Sequence, residues 1–141
     1  MKTEYTIKEI LMFLSALGHH SDRQELAYHE KRGFFKSIRG GKGRVKIERG
    51  EASIIVQAAI LCRSMNAEMS YSLVREYRLK DNSEGDTDTW ACILFGKFGP
   101  VVQWHRAIQP TDVEGYYSSI IVDFVKLTLD VHGLFLKMDE A

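Results

Sequence analysis

Eight cationic side chains crowd the 19 positions from Lys31 to Arg49: Lys31, Arg32, Lys36, Arg39, Lys42, Arg44, Lys46 and Arg49, opposed only by Glu48. Gly40, Gly41 and Gly43 stand among them. Cations at this density suit contact with phosphates, because neutralised phosphates release counterions and supply most of the non-specific affinity for nucleic acid. A solvated basic loop is the competing reading. The glycines do not spell a nucleotide-binding loop, since neither GxxxxGKS/T nor GxGxxG is present.

Other groups with chemical potential are scattered. Cys62 falls on the apolar face of an expected helix, where a buried, inert thiol is the simpler reading. Cys92 and His105 could meet across an expected hairpin, with His132 as a third ligand for a sensed metal. Lacking close ligand spacing, they read as ordinary strand and helix residues. His19-His20 sits in a turn, open to a phosphate or to solvent, and Trp90 and Trp104 read as packing anchors. No pattern gathers titratable groups for catalysis, so neither an enzyme, nor a cofactor, nor a metal is expected.

The chain has 141 residues, 45% hydrophobic and 27% charged, a composition that suits one domain or a small module joined to an oligomerisation segment. No apolar run reaches the roughly 18 residues of a spanning helix, so no membrane partner is expected. The first residues, Met1-Lys2-Thr3-Glu4-Tyr5, lack the form of a secretory signal. With two cysteines and no CxxC pair, reduced thiols in a cytoplasm are the expectation. The net charge is zero, yet it is a sum: residues 1–50 hold 11 Lys plus Arg against 6 Asp plus Glu, and residues 51–141 hold 8 against 13.

The elements around the cations decide between the two readings. Thr6-Ile7-Lys8-Glu9 has the form of a capping box, followed by apolar Ile7, Ile10, Leu11, Leu14 and Leu17 at helical spacing and Gly18 as the stop. A second box, Ser21-Asp22-Arg23-Gln24, opens a helix that Gly33 ends. Leu26 and Ala27, with Tyr28 beside them, are expected to face inward, leaving Arg23, Gln24, His29, Lys31 and Arg32 available. Two short capped helices joined by a tight turn form a helix-turn-helix, whose second helix can enter a major groove. Phe34 to Ile38 and Arg44 to Ile47 then alternate apolar and basic residues about the glycine-rich tip, as a hairpin wing does.

Helices are expected over 49–65 and from Ser70, and the acidic, turn-rich Asp81 to Asp88 marks a linker. Trp90 to Phe95 and Val101 to Arg106 read as a second hairpin turning at Gly96 to Pro100. From Pro110-Thr111-Asp112 a long helix is expected: Val113, Tyr117, Ile120, Phe124, Leu127, Val131, Leu134 and Met138 recur at steps of 4 and 3, the seam of a coiled coil. Ile121, Val125 and Leu129 broaden that stripe towards a core helix.

Residues 5–79 resemble the DNA-binding domain of the MerR family of transcription regulators. The likeness rests on Tyr5-Thr6-Ile7-Lys8-Glu9-Ile10, on Leu26-Ala27-Tyr28-His29-Glu30-Lys31-Arg32-Gly33-Phe34, on Gly43-Arg44-Val45-Lys46-Ile47, and on the helix pair from Glu48 to Tyr77. That family usually has Arg-Tyr-Tyr where Ala27-Tyr28-His29 stands, and an aromatic where Ile47 stands. Phage-type winged helix-turn-helix proteins, such as Mu-like repressors, present a similar order of elements. The resemblance implies a winged helix-turn-helix that dimerises through a C-terminal helix.

The expectation is therefore an α+β, mostly helical chain: a winged helix-turn-helix over 1–80, an acidic linker over 81–89, and a hairpin plus long helix over 90–141 for dimerisation, with room for a small-molecule effector. The expected function is sequence-specific binding of double-stranded DNA by a homodimeric regulator. Arg23, Gln24 and His29 are expected at base edges, with Asp22 and Lys31 adjoining them. Lys31, Arg32, Lys36, Arg39, Lys42, Arg44 and Lys46 are expected on the backbone, and Tyr117, Ile120, Phe124, Leu127, Val131 and Leu134 at the dimer seam. The alternative is a small protein-interaction module, an accessory or phage-type factor whose basic loop does not bind DNA.

Overall fold

The capping box at Thr6 forms in full. In the computed structural model, which describes residues 2–39, 44–81, 88–106 and 115–140, the Thr6 hydroxyl accepts the Glu9 amide at 3.2 Å and the Glu9 carboxylate accepts the Thr6 amide at 3.2 Å. Helix α1 (Ile7–Ala16) follows and buries Ile10, Phe13 and Leu14. Gly18, at φ 76°, supplies the left-handed residue that turns the chain away.

Helix α2 (Arg23–Lys31) starts one residue later than the sequence reading placed it. Asp22, not Ser21, is its cap and accepts the Glu25 amide at 2.8 Å. A carboxylate also interacts favourably with the positive end of the helix dipole, which a hydroxyl does not. Gly33, at φ 82°, ends the helix turn, and the chain enters an antiparallel sheet.

That sheet has the order β1-β3-β2, with β1 (Glu4–Thr6), β2 (Ile38–Arg39) and β3 (Val45–Glu48). Strands β2 and β3 pair antiparallel, Ile38 to Lys46 and Arg39 to Val45, but of the expected first strand, Phe34 to Ile38, only Ile38 is in β2, and Arg39, expected in the tip, is its second residue. Strand β1 was not expected; it forms because Tyr5 pairs with Ile47 and both side chains are buried. Helix α3 (Arg49–Leu61) buries Ala52, Ile54, Ile55, Val56, Gln57, Ala58, Ala59 and Leu61. Helix α4 (Ala67–Asp81) begins three residues before the expected Ser70, because the Asn66 side chain accepts the Met69 amide at 2.8 Å.

The second sheet has the order β5-β4-β6, from β4 (Trp90–Gly96), β5 (Gly99–His105) and β6 (Tyr116–Asp123). The first two strands are the expected hairpin. The third replaces the first turns of the expected long helix: Tyr117 and Ile120 lie on a strand, and α5 begins only at Phe124 (Phe124–Asp139). Two physical facts account for the change. Tyr116 to Val122 holds only aromatic, β-branched and serine side chains, which suit a pleated strand beside the apolar β4. Asp123 then accepts the Lys126 amide at 3.2 Å, and so starts the helix there. Residues Pro110 to Val113, where the helix was expected to open, lie outside the described residues, as do residues 82–87 of the acidic stretch.

The fold is thus α+β and about half helical, with five helices and two small antiparallel sheets among the described residues. It divides into two units, Met1–Arg75 with Asp130–Ala141, and Glu76–Leu129, so both divisions fall inside helices. In the first unit Tyr5, Phe13 and Phe135 form a triangle of rings at 4.5 to 5.4 Å. Arg49 spans its rim: its guanidinium lies 5.2 Å from the Phe135 ring, 2.6 Å from Asp139 and 2.6 Å from the Tyr5 hydroxyl. In the second unit Tyr77 and Trp104 flank Phe124 at 5.0 and 5.3 Å, and the Trp104 indole donates to Glu76 at 3.0 Å. No helix among the described residues is long and apolar enough to cross a membrane.

Candidate nucleic-acid interface

Helix α2 has one packed face and one wet one. Leu26 is buried and Glu25, His29 and Glu30 are half-buried, while Arg23, Gln24, Ala27, Tyr28 and Lys31 are exposed. The packed positions recur at three and four residues, which is one side of a helix. Arg23 and Gln24 are therefore free of the packed face, in the first turn beside the positive end of the helix dipole.

His29 does not join them. Its ring packs 5.6 Å from Phe34 and 5.4 Å, edge-on, from Tyr71, whose hydroxyl lies 3.4 Å from Nδ1. Burial lowers its pKa, the negative charge of Glu25 partly offsets that, and His19 adds to the lowering. A histidine held in this way supports α2 from beneath and cannot read a base from the same helix. Of the residues expected to face inward, Leu26 does, whereas Ala27, and Tyr28 beside it, are turned to solvent.

Tyr28 is instead part of a cationic edge that sequence reasoning missed. Arg32 donates to the Tyr28 hydroxyl at 3.1 Å, and its guanidinium lies 5.8 Å from the Tyr28 ring and 5.6 Å from the Phe34 ring. Glu68 sits 3.7 Å from it, at an exposed position where such a pair contributes little. The available signal was the i, i+4 spacing of Tyr28 and Arg32 on one helix face.

The hairpin presents its cations unevenly. Lys46 lies opposite Ile38 and Thr6, on the sheet face away from the buried Ile47. Arg39 is exposed and reaches within 4.0 Å of Glu30, which also accepts a hydrogen bond from the Ser37 hydroxyl. Lys36 and Arg44 are exposed, and Lys42 lies outside the described residues. Arg23, Lys31, Lys36, Arg44 and Lys46 enter no ion pair among the described residues. Arg49, counted in the same cationic run, is withdrawn from it by Asp139.

A second ion pair aims the hairpin. Arg75 donates to the Phe34 carbonyl from Nε at 3.0 Å and Nη2 at 2.7 Å, and to Glu51 at 2.9 Å. Glu51 in turn accepts the Lys36 amide at 2.7 Å. The segment between α2 and β2 is thereby tied to α3 and α4. Nothing in the local sequence marks these two residues, because their partner is backbone far along the chain.

The remaining candidates lie on other elements. Phe124 and Val131 are buried, Leu127 and Leu134 half-buried, and Tyr117 and Ile120 lie on β6, so no continuous seam runs from Tyr117 to Leu134. Cys92 is opposite Gln103, and His105 opposite Trp90. Cys62 donates to the Ser70 hydroxyl at 3.6 Å, and burial pushes its thiol above the ordinary range. His19, Glu25, His29, Cys62 and Tyr71 line one small crevice under α2, yet no three metal-ligating side chains converge among the described residues. No model of a known protein family matches the chain, and no curated protein sequence matches it.

Proposed function

We propose that this chain binds double-stranded DNA sequence-specifically as a winged helix-turn-helix regulator of transcription, two copies sharing one site. Helix α2 enters the major groove, where Arg23 suits guanine and Gln24 suits adenine through paired hydrogen bonds. Lys31, Arg32, Lys36, Arg39, Arg44 and Lys46 meet the phosphates on either side and set the register. One observation carries the reading: the exposed stripe of α2 leads, through a segment tied down by Arg75 and Glu51, into a short hairpin bearing unpaired cations. A helix presented beside a basic hairpin fits the groove and the adjoining backbone together.

Selection of bound sequences from a random duplex pool tests this. A recovered motif with two-fold symmetry is the expected product. Failure to retain any duplex at low salt would overturn the reading in favour of a protein-interaction module. Recovery of duplex without sequence preference would remove the groove contacts of Arg23 and Gln24 while leaving the phosphate contacts.

A further inference from the structure

On the wet face of α2, Arg23, Gln24, Ala27, Tyr28 and Lys31 stand exposed, and Ala27 alone among them carries neither a polar group nor a ring. It follows Arg23 by four residues and Gln24 by three, and precedes Lys31 by four, so three long side chains spring from the positions around it. Two other side chains nearby are held elsewhere. Glu30 is half-buried and accepts the Ser37 hydroxyl. Arg32 is drawn to the Tyr28 hydroxyl at 3.1 Å and to the rings of Tyr28 and Phe34. The middle of the face is therefore an exposed methyl group, flanked by a guanidinium, an amide and an ammonium group.

We propose that Ala27 reads a pyrimidine C5-methyl group, that of thymine or of 5-methylcytosine, beside the base edges taken by Arg23 and Gln24. The inference rests on the reading above, that α2 enters the major groove. A methyl group neither donates nor accepts a hydrogen bond. Set against a polar groove edge, it strips that edge of water and leaves it unpaired, which costs free energy. The C5-methyl group is the apolar feature that a thymine presents in the major groove, and an alanine methyl packs against it without that loss. A one-carbon side chain also lets the helix backbone come close to the bases, while the longer side chains around it reach outward to polar edges. At 1.5 Å of rise per residue, Ala27 lies about 6 Å along the axis from Arg23 and about 4.5 Å from Gln24. Base steps of about 3.4 Å then put the methyl group, for a helix lying along the groove, within about two base pairs of the guanine and adenine that those residues suit.

Uracil in place of thymine removes the methyl group and nothing else, so the test is a scan of single thymine-to-uracil changes through a duplex recovered by selection. At one position in each half-site the change should weaken binding about fourfold, the effect of one buried methyl-sized group. At that position, 5-methylcytosine is then compared with cytosine. A fourfold difference in the thymine and uracil pair alone identifies thymine as the base read, and the same difference in both pairs identifies the methyl group whichever base carries it. Ala27→Gly should bring the ratios to one. Each ratio is taken within one protein, so a loss of overall affinity caused by the glycine does not enter it. Ala27→Ser, which keeps a helix-compatible side chain, should lower the ratios as well. Sequence-specific binding with no position sensitive to uracil would overturn this proposal and leave the reading above in place. So would a sensitivity unchanged in both Ala27→Gly and Ala27→Ser. Retention of no duplex at low salt, or of duplex without sequence preference, would overturn the groove contacts of the reading above and the methyl contact with them.

Discussion

The guanidinium of Arg75 and the carboxylate of Glu51 lie 2.9 Å apart, and between them they hold the backbone that joins α2 to the basic hairpin. Arg75 takes the Phe34 carbonyl and Glu51 takes the Lys36 amide. The pair therefore fixes two polar backbone groups as well as each other. Removing either charge should loosen the hairpin relative to α2 without altering any of the exposed cations on those two elements.

Arg75→Ala should lower stability by about 2 kcal/mol, the cost of deleting hydrogen bonds to a charged group and leaving its partners half-buried. Glu51→Gln should cost less. The double variant should fall short of the sum by about 1 kcal/mol, because both residues serve one segment. Urea unfolding of the four proteins measures this, and strict additivity would deny the coupling.

Asp139 gives a dependence on acid. Burial raises its pKa, but the hydrogen bonds from Arg49 and Tyr5 outweigh that and hold the carboxyl below its ordinary range. A lowered folded value means that the stabilisation is complete above the ordinary carboxylate pKa of about 4 and is lost as pH falls through the lower folded value. Asp139→Asn should cost about 2 kcal/mol at neutral pH, since Arg49 is part-buried and its Nη2 already lacks a partner. The variant should approach the wild type in the most acidic samples. Thermal unfolding across that range checks the convergence.

His29 gives a second dependence, at milder acidity. Burial favours its neutral ring, so its contribution is complete above the ordinary histidine pKa of about 6.5 and declines as pH falls through the lowered folded value. Glu25 and His19 are the charged and titratable neighbours that bear on it, with Tyr71 above the ring. His29→Gln should flatten the loss of stability between neutral pH and mild acid. Equal slopes for wild type and variant would show that His29 does not titrate against the fold.

Local interactions were legible in the sequence, and those closed by distant residues were not. The Thr6 to Glu9 box and the stop at Gly18 depend on neighbours, and each stands where its residues imply, whereas the expected strand from Phe34 to Ile38 shrinks to Ile38–Arg39 because Arg75 and Glu51 take the Phe34 carbonyl and the Lys36 amide. Strand β1 is three residues long and exists through Ile47, a partner that no window around Tyr5 contains. On β6, the residues Tyr117, Ile120 and Phe124 fall at helical steps, but short apolar runs satisfy strand and helix patterns alike, and the pairing with β4 decides. On α2 the cations were legible, yet the facing of Ala27, Tyr28 and His29 was set by the pocket that Phe34 and Tyr71 make. Arg49 looked like one of eight equivalent cations until Asp139 claimed it.

The central claim, that the α2 and hairpin surface meets DNA phosphates, is tested most directly by the salt dependence of duplex affinity. About six neutralised phosphates per copy give a slope of log affinity against log salt near −5, at roughly −0.9 per phosphate. Arg44→Ala and Lys46→Ala should each reduce that slope by about one and weaken all sequences alike. Arg49→Met, measured where it remains folded, should leave the slope unchanged because Asp139 already neutralises that cation. An affinity indifferent to salt, or an unaltered slope in both Arg44→Ala and Lys46→Ala, would contradict the account.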